Sequence, residues 1–192
     1  MSRRIAKKAS LFAAGCTLAI GTVALAAADA TSAPAAPVSA QWQHQSRTLT
    51  FQGFTSHYTC DGLEDKVRQI LVYLGARKDA KVRASGCAYG PNHPSPYAFL
   101  NMEFDTLNAA GKPAEGAAAE PVSARWQAIE LSSNRPFFMG SGECELVEQL
   151  KPVLTASFAL EDLDYRTRCI PHQITLGDFS VRGKVLQPTP AR

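Results

Sequence analysis

A chain of 192 residues, 45% hydrophobic and 19% charged, is long enough for one domain with its own core and too apolar for a disordered segment. Its net charge of +3 rests on Arg3, Arg4, Lys7 and Lys8; no acid precedes position 29, and without these four cations the balance is −1. That leaves no global electrostatic case for nucleic acid, and none is expected as a partner.

The N-terminus reads as a leader. The basic residues precede an apolar run from 9 to 28, and Ala26-Ala27-Ala28 or Ala28-Asp29-Ala30 fits the small-residue cleavage rule. Residues 1–28 are therefore expected to be a signal peptide containing Cys16, with no membrane span once it is removed. The segment from Ser2 to Lys8 partly matches a twin-arginine signal, with Ala6 where phenylalanine is usual, so an unfolded-chain export route is expected. Residues 29–40, rich in Ala, Pro and Ser, read as a flexible lead-in. A single domain spans 41–187, and the proline-bearing 188–192 is a tail.

Residues 47–54 alternate as a strand, with Leu49 and Phe51 on one face and Thr48, Thr50 and Gln52 on the other. Cys60 precedes a helix over 61–74, whose stripe is Leu63, Val67, Ile70, Leu71 and Leu74. Asp61, Glu64 and Asp65 suit its first turn, and Gly75 supplies its stop. A strand over 81–86 ends at Cys87, and another over 97–106 turns Ala98, Leu100, Met102 and Phe104 inward. The Ala-, Gly- and Pro-rich segment 108–120 reads as a connection to a second half.

That half repeats the order. A strand over 122–131 carries Trp126 inward, and Cys144 opens a helix with Leu146, Val147, Leu150, Val153, Leu154 and Phe158 on its apolar face. Ser141 is expected to be its N-cap, and Pro152 to kink or restart it. Strands follow over 163–168, ending at Cys169, and over 178–186 with Phe179, Val181 and Val185 on one face. The fold class is α+β: an antiparallel sheet of about six strands with two helices on one face, as two βαββ repeats in a ferredoxin-like variant.

Four cysteines allow three pairings. A strand-helix-strand unit returns the far end of its second strand to the level where the helix begins, which favours Cys60–Cys87 and Cys144–Cys169. No C-x-x-C motif points to redox catalysis, and widely spaced cysteines outside the cytoplasm oxidise before they collect zinc. The segments Tyr58-Thr59-Cys60-Asp61-Gly62-Leu63, Leu74-Gly75-Ala76-Arg77, Pro136-Phe137-Phe138-Met139-Gly140 and Cys169-Ile170-Pro171-His172-Gln173 resemble those of short, signal-peptide-bearing bacterial proteins of unassigned function. The resemblance implies a periplasmic or secreted compartment and transfers no catalytic residue.

Three patterns bear on chemistry. His57, His93 and His172 lie near cysteines, but no tight H-x-x-x-H spacing marks a metal site, and no metal or cofactor is expected. Gly140-Ser141-Gly142 fails the nucleophile-elbow spacing, because Met139 and Glu143 stand where glycines are needed. Period-two alternation places Lys81, Arg83, Arg125, Arg166, Arg168, Arg182 and Lys184 on the sheet face away from the helices, beside Asn101, Glu103 and Asp105. That face reads either as a solvated, ion-paired surface or as a binding face for an envelope partner or anionic surface, with Arg83, Arg125, Arg166, Arg168 and Arg182 as its residues. The functional expectation is a non-catalytic binding module; the rival is a metal-dependent or hydrolytic enzyme using the loop histidines.

Overall fold

The computed structural model describes residues 36–54, 56–90, 93–109, 121–169 and 178–189. The expected leader, residues 110–120 of the connection, and His172 lie outside them. The elements run β1 (Val38–Gln52), α1 (Cys60–Tyr73), β2 (Lys81–Ser85), β3 (Ala88–Gly90), β4 (His93–Pro94), β5 (Tyr97–Ala109), β6 (Val122–Ser132), α2 (Cys144–Ser157), β7 (Leu160–Thr167) and β8 (Phe179–Pro188). Six strands form one antiparallel sheet in the order β2-β5-β1-β6-β8-β7, and β3 and β4 form a separate two-stranded hairpin. The architecture is α+β, with both helices contributing to one core against the sheet.

Burial follows the stripes. Leu63, Val67, Ile70, Leu71 and Leu74 of the first helical segment are buried, as are Leu146, Val147, Leu150, Val153 and Leu154 of α2. They pack on Phe51, Ala98, Leu100, Met102 and Phe104 from one half of the sheet, and on Ile129, Leu131, Phe179, Val181 and Val185 from the other. Thr59 caps α1, its hydroxyl accepting the Gly62 N–H at 3.1 Å, and Gly75 at φ +99° ends the helix in the left-handed region.

Several local expectations are corrected. The first strand starts at Val38, well before 47, and its early inward positions are Gln43, Gln45 and Arg47 instead of apolar residues. Those side chains face the end of α2, where Arg47 donates to Ser157 Oγ at 2.9 Å and Thr106 donates to the Ser157 carbonyl at 2.7 Å. A polar inward row was thus satisfied by a helix terminus, which no hydrophobic alternation can announce. The second helix runs unbroken through Pro152; the missing amide leaves the Glu148 carbonyl without its helical donor. Ser141 is not the cap. It begins a single 3-10 turn, and the Glu143 carboxylate instead accepts the Gly140 N–H at 2.5 Å. Trp126 lies on the face away from the helices, in register with Leu186, because it alternates with the core residues Ile129 and Leu131. There it borders a small second cluster of Ala40, Leu107, Ala124 and Leu186.

Cys60 and Cys87 stand 5.4 Å apart between Cα atoms, and Cys144 and Cys169 stand 5.8 Å apart, both as disulfides with the expected pairing. Each bond joins the first residue of a helix to a position two beyond the following edge strand. Such bonds fit an oxidising compartment. No helix among the described residues is long and apolar enough to cross a membrane.

Both sheet edges are blunted. On β2, Glu64 of α1 accepts the Ala84 N–H at 2.8 Å, covering a donor that an edge strand otherwise presents to other chains. On β7 the register shifts between Glu161 and Asp164, with Asp162 at φ 53°, so an irregular acidic stretch interrupts the ladder.

Candidate functional site

The five arginines do not form one surface. Arg83 on β2 points outward and reaches back over the edge to Glu64, at 3.4 Å. Arg182 on β8 pairs with Glu130 at 3.0 Å, and Arg166 on β7 with Asp164 at 3.0 Å. Arg125 is in register with Gln187 and shares the period-two face of Ile129 and Leu131, so its position belongs to the helix side of the sheet, not to the face of Arg182. Arg168 follows β7, exposed, its backbone N–H bonded to the Asp178 carbonyl. Lys184, also outward, pairs with Asp162 at 2.6 Å. Those bonds hold the Glu130 carboxyl below the usual range, first through its hydrogen bond to Arg182, and raise Lys184 through its hydrogen bond to Asp162.

His57 is exposed in the loop before α1, and His93 sits in β4 opposite Gly90. The histidine with a carboxylate partner is His44, whose Nδ1 lies 3.0 Å from Asp105 Oδ1 on the neighbouring strand. Arg77 shares that aspartate at 3.0 Å and lies over the Trp42 ring. No hydroxyl or thiol hydrogen-bonds to His44 among the described residues. No group of three or more His, Cys, Asp or Glu side chains able to hold a metal occurs among the described residues.

Polar side chains do converge inside the molecule, between the two helices. Lys66 Nζ lies 2.9 Å from Glu143 Oε1 and also donates to the Phe138 carbonyl. Glu145, buried, accepts the Phe54 N–H at 2.8 Å, and Ser56 donates to the Gly142 carbonyl at 2.7 Å. Burial, reinforced by the Glu143 and Glu145 carboxylates, pushes the Tyr58 phenol above its ordinary range. Glu145 and Ser56 hold backbone groups, and Lys66 and Glu143 each hold a backbone group as well as one another. What they do is fix the loop between β6 and α2 against α1.

That loop builds the concavity. Phe138 packs edge-on to Tyr73 at 6.1 Å between ring centroids, with the Lys66 ammonium 6.0 Å from the centroid of its ring. Between the loop and the outer side of α1 lies an open groove of about 430 Å³, lined by Arg68, Gln69, Val72, Tyr73, Lys78 and Phe138. Phe137, the chain neighbour of the lining residue Phe138, is 96% exposed, its ring 5.9 Å from that of Phe138. The Tyr73 hydroxyl donates to the Glu130 carbonyl at 2.9 Å, which ties the groove floor to the sheet. Arg68 holds Asp65 at 2.7 Å, and Lys78 has no acid partner among the described residues.

The other apolar hollow is different. It lies under α2 among Ile129, Leu131, Val147, Leu154 and Val181, beside Lys151, which lies 3.9 Å over the Tyr165 ring. Its free space is about 20 Å³, room for about one water and far below the few hundred Å³ of a ligand site. On the uncovered sheet face, Tyr97 and Phe99 of β5 are exposed beside Gln52 and Thr50 of β1.

Sequence reasoning missed the groove because its apolar wall comes from a turn with no periodicity. The available signal was the Phe137-Phe138 pair after Pro136, two large apolar residues where a turn between elements calls for polar ones. No family model, no curated protein and no solved structure matches this chain.

Proposed function

We propose that the chain is an exported, disulfide-stabilised, non-catalytic binding module of the cell envelope. The observation that carries it is the open groove walled by Phe138 and Tyr73, with the exposed Phe137 ring 5.9 Å from that of Phe138 and the loop held by the Lys66–Glu143 pair. Two adjacent aromatic rings, one exposed and one lining a concavity, offer the kind of side chain on which binding interfaces concentrate their energy. Near them, Lys66 and Glu143 pair with each other and hold the Phe138 carbonyl and the Gly140 N–H, which gives these groups a structural use in fixing the loop.

The export reading is supported by the leader-like N-terminus and by two disulfides. A duplicated βαββ design is supported by the strand order. The outer-to-centre sequence β2-β5-β1 is matched by β7-β8-β6, and in each half the third strand lies between the first and second, as in ferredoxin-like sheets. The disulfides occupy corresponding places in the two halves.

The test is native mass spectrometry of the chain recovered from the periplasm of an expressing cell, followed by the same sample denatured without reductant. The expected result is a chain shortened after Ala28 or Ala30, with two disulfides and no bound metal. A full-length chain with free thiols sinks the export reading, and a retained metal sinks the non-catalytic one.

A further inference from the structure

Resting on the binding-module reading, we infer that the groove between α1 and the β6–α2 loop docks an acidic segment of a partner protein. A large apolar side chain of that segment packs against Val72, Tyr73 and Phe138 under Phe137, and a carboxylate meets Lys78.

Charge and shape decide the occupant. The residues lining the groove include two cations, Arg68 and Lys78, and no acid. Arg68 is already held by Asp65, whereas Lys78 is exposed and without an acid partner among the described residues, so the uncompensated charge in the groove is positive. An incoming carboxylate is attracted there, and an incoming cation is repelled. The apolar contribution comes from Val72, Tyr73 and Phe138, all partly exposed and therefore available to be covered. Gln69 adds an amide that can meet a backbone group of an extended segment.

The shape favours a protein segment over a membrane. A bilayer surface offers no protrusion to fill a hollow of about 430 Å³, and one phenylalanine on one loop presents little apolar area for insertion. A peptide supplies both the side chain that fills the groove and the charge that pairs with Lys78. The walls require no rearrangement, because the Tyr73 hydroxyl and the Lys66 ammonium are already bonded to backbone carbonyls. Pre-organisation of this kind lowers the ordering penalty of association.

The experiment is an amide chemical-shift titration of the isotope-labelled mature chain with a short acidic peptide carrying a central phenylalanine. Its counterpart with every acid replaced by lysine is the control, and vesicles of anionic phosphatidylglycerol are tested by co-sedimentation. The expected result is saturable shifts at Arg68, Gln69, Val72, Tyr73 and Lys78 with the acidic peptide only. Lys78→Glu and Phe137→Ser should each weaken the titration by about tenfold or more while leaving the free spectrum folded. Equal response to the lysine peptide, or no shift with either peptide, overturns the acidic-segment assignment. Sedimentation with vesicles that depends on Phe137, without groove shifts from peptide, overturns it in favour of a lipid surface and leaves the binding-module reading standing. Loss of neither peptide nor vesicle binding on Phe137→Ser, or no binding to either, counts against that broader reading as well.

Discussion

The ammonium of Lys66, on α1, lies 2.9 Å from the carboxylate of Glu143, at the entrance to α2, and the two side chains are only 19% and 13% exposed. Neither helix contributes to the other's ladder, so this ion pair is a direct polar bond between the two halves on the helix side. Glu143 also accepts the Gly140 N–H and Lys66 also donates to the Phe138 carbonyl, which makes the pair the fastener of the loop that walls the groove.

Breaking it should cost more than its net worth. Glu143→Gln leaves a mostly buried ammonium with one partner fewer, and removal of one member of a buried pair destabilises by about 3 to 5 kcal/mol. The remaining exposure of both groups places the expectation at the low end, roughly 2 to 3 kcal/mol. The double variant Lys66→Met/Glu143→Leu should recover part of that loss. Urea unfolding of the singles and the double measures it; a single variant within about 0.5 kcal/mol of the parent would show that the pair holds nothing.

The two disulfides close loops of similar length, with sequence separations of 27 and 25. The chain-entropy account then assigns each about 3.5 kcal/mol. Cys60→Ala/Cys87→Ala and Cys144→Ala/Cys169→Ala should therefore lower the unfolding free energy by similar amounts, with the larger chain expansion visible as a raised m-value. A large inequality between them would mean that native contacts, not loop closure, set their contributions.

How much of this was readable beforehand depends on what kind of signal each part carries. The stripe from Leu63 to Leu74 and the row from Ala98 to Phe104 were legible because one apolar face alternates with one polar face. The cysteine pairing was legible because both bonds stand at the same corner of a strand-helix-strand turn. Trp126 and Arg125 were assigned to the wrong faces because β6 carries apolar residues on both, Ile129 and Leu131 toward the helices and Ala124 and Trp126 toward the second cluster. Lys66 and Glu143 could not be paired in advance, since 77 positions separate them and nothing local records the distance. The charged row on the sheet was visible, but its neutralisation by Glu130, Asp162 and Asp164 depended on register.

Glu64 guards the β2 edge through the Ala84 amide and lies within 3.4 Å of Arg83. Glu64→Ala should remove a charge-assisted hydrogen bond worth about 1.5 to 3 kcal/mol in a sheltered setting. It should also leave an edge donor open to pairing with another chain. The expected outcome is lower stability together with concentration-dependent association in sedimentation velocity. A destabilised variant that stays monomeric at all concentrations would separate the two effects and reject the edge role.

Tyrosine ionisation should report the interior. Burial, with the charge of Glu148 adding to it, pushes Tyr165 up to about 12, and burial raises Tyr58 further. A folded-state value above the unfolded one means that this contribution is fully present below the ordinary tyrosine value near 10 and is lost as pH rises through the folded value. Lys184, raised by Asp162, acts in the same direction. Glu130, lowered by Arg182, acts oppositely: its contribution is present above its ordinary value and is lost as pH falls through the folded one. Tyrosinate absorbance followed from pH 8 upward should show Tyr58 and Tyr165 ionising only with loss of structure. A single early transition covering all tyrosines would contradict their burial.

Phe137 and Phe138 are neighbours with opposite expectations. Phe138 packs edge-on against Tyr73 and is partly covered, whereas Phe137 is 96% exposed and touches little beyond its neighbour. Phe138→Ala should destabilise by about 1 to 2 kcal/mol, below the range for a fully buried aromatic because the ring is only partly buried. Phe137→Ser should stay within about 0.5 kcal/mol of the parent, as surface changes do. Urea midpoints measured side by side make the comparison. If Phe137→Ser cost as much as Phe138→Ala, the exposed ring would be a structural part of the loop, and its availability to a binding partner would be lost with it.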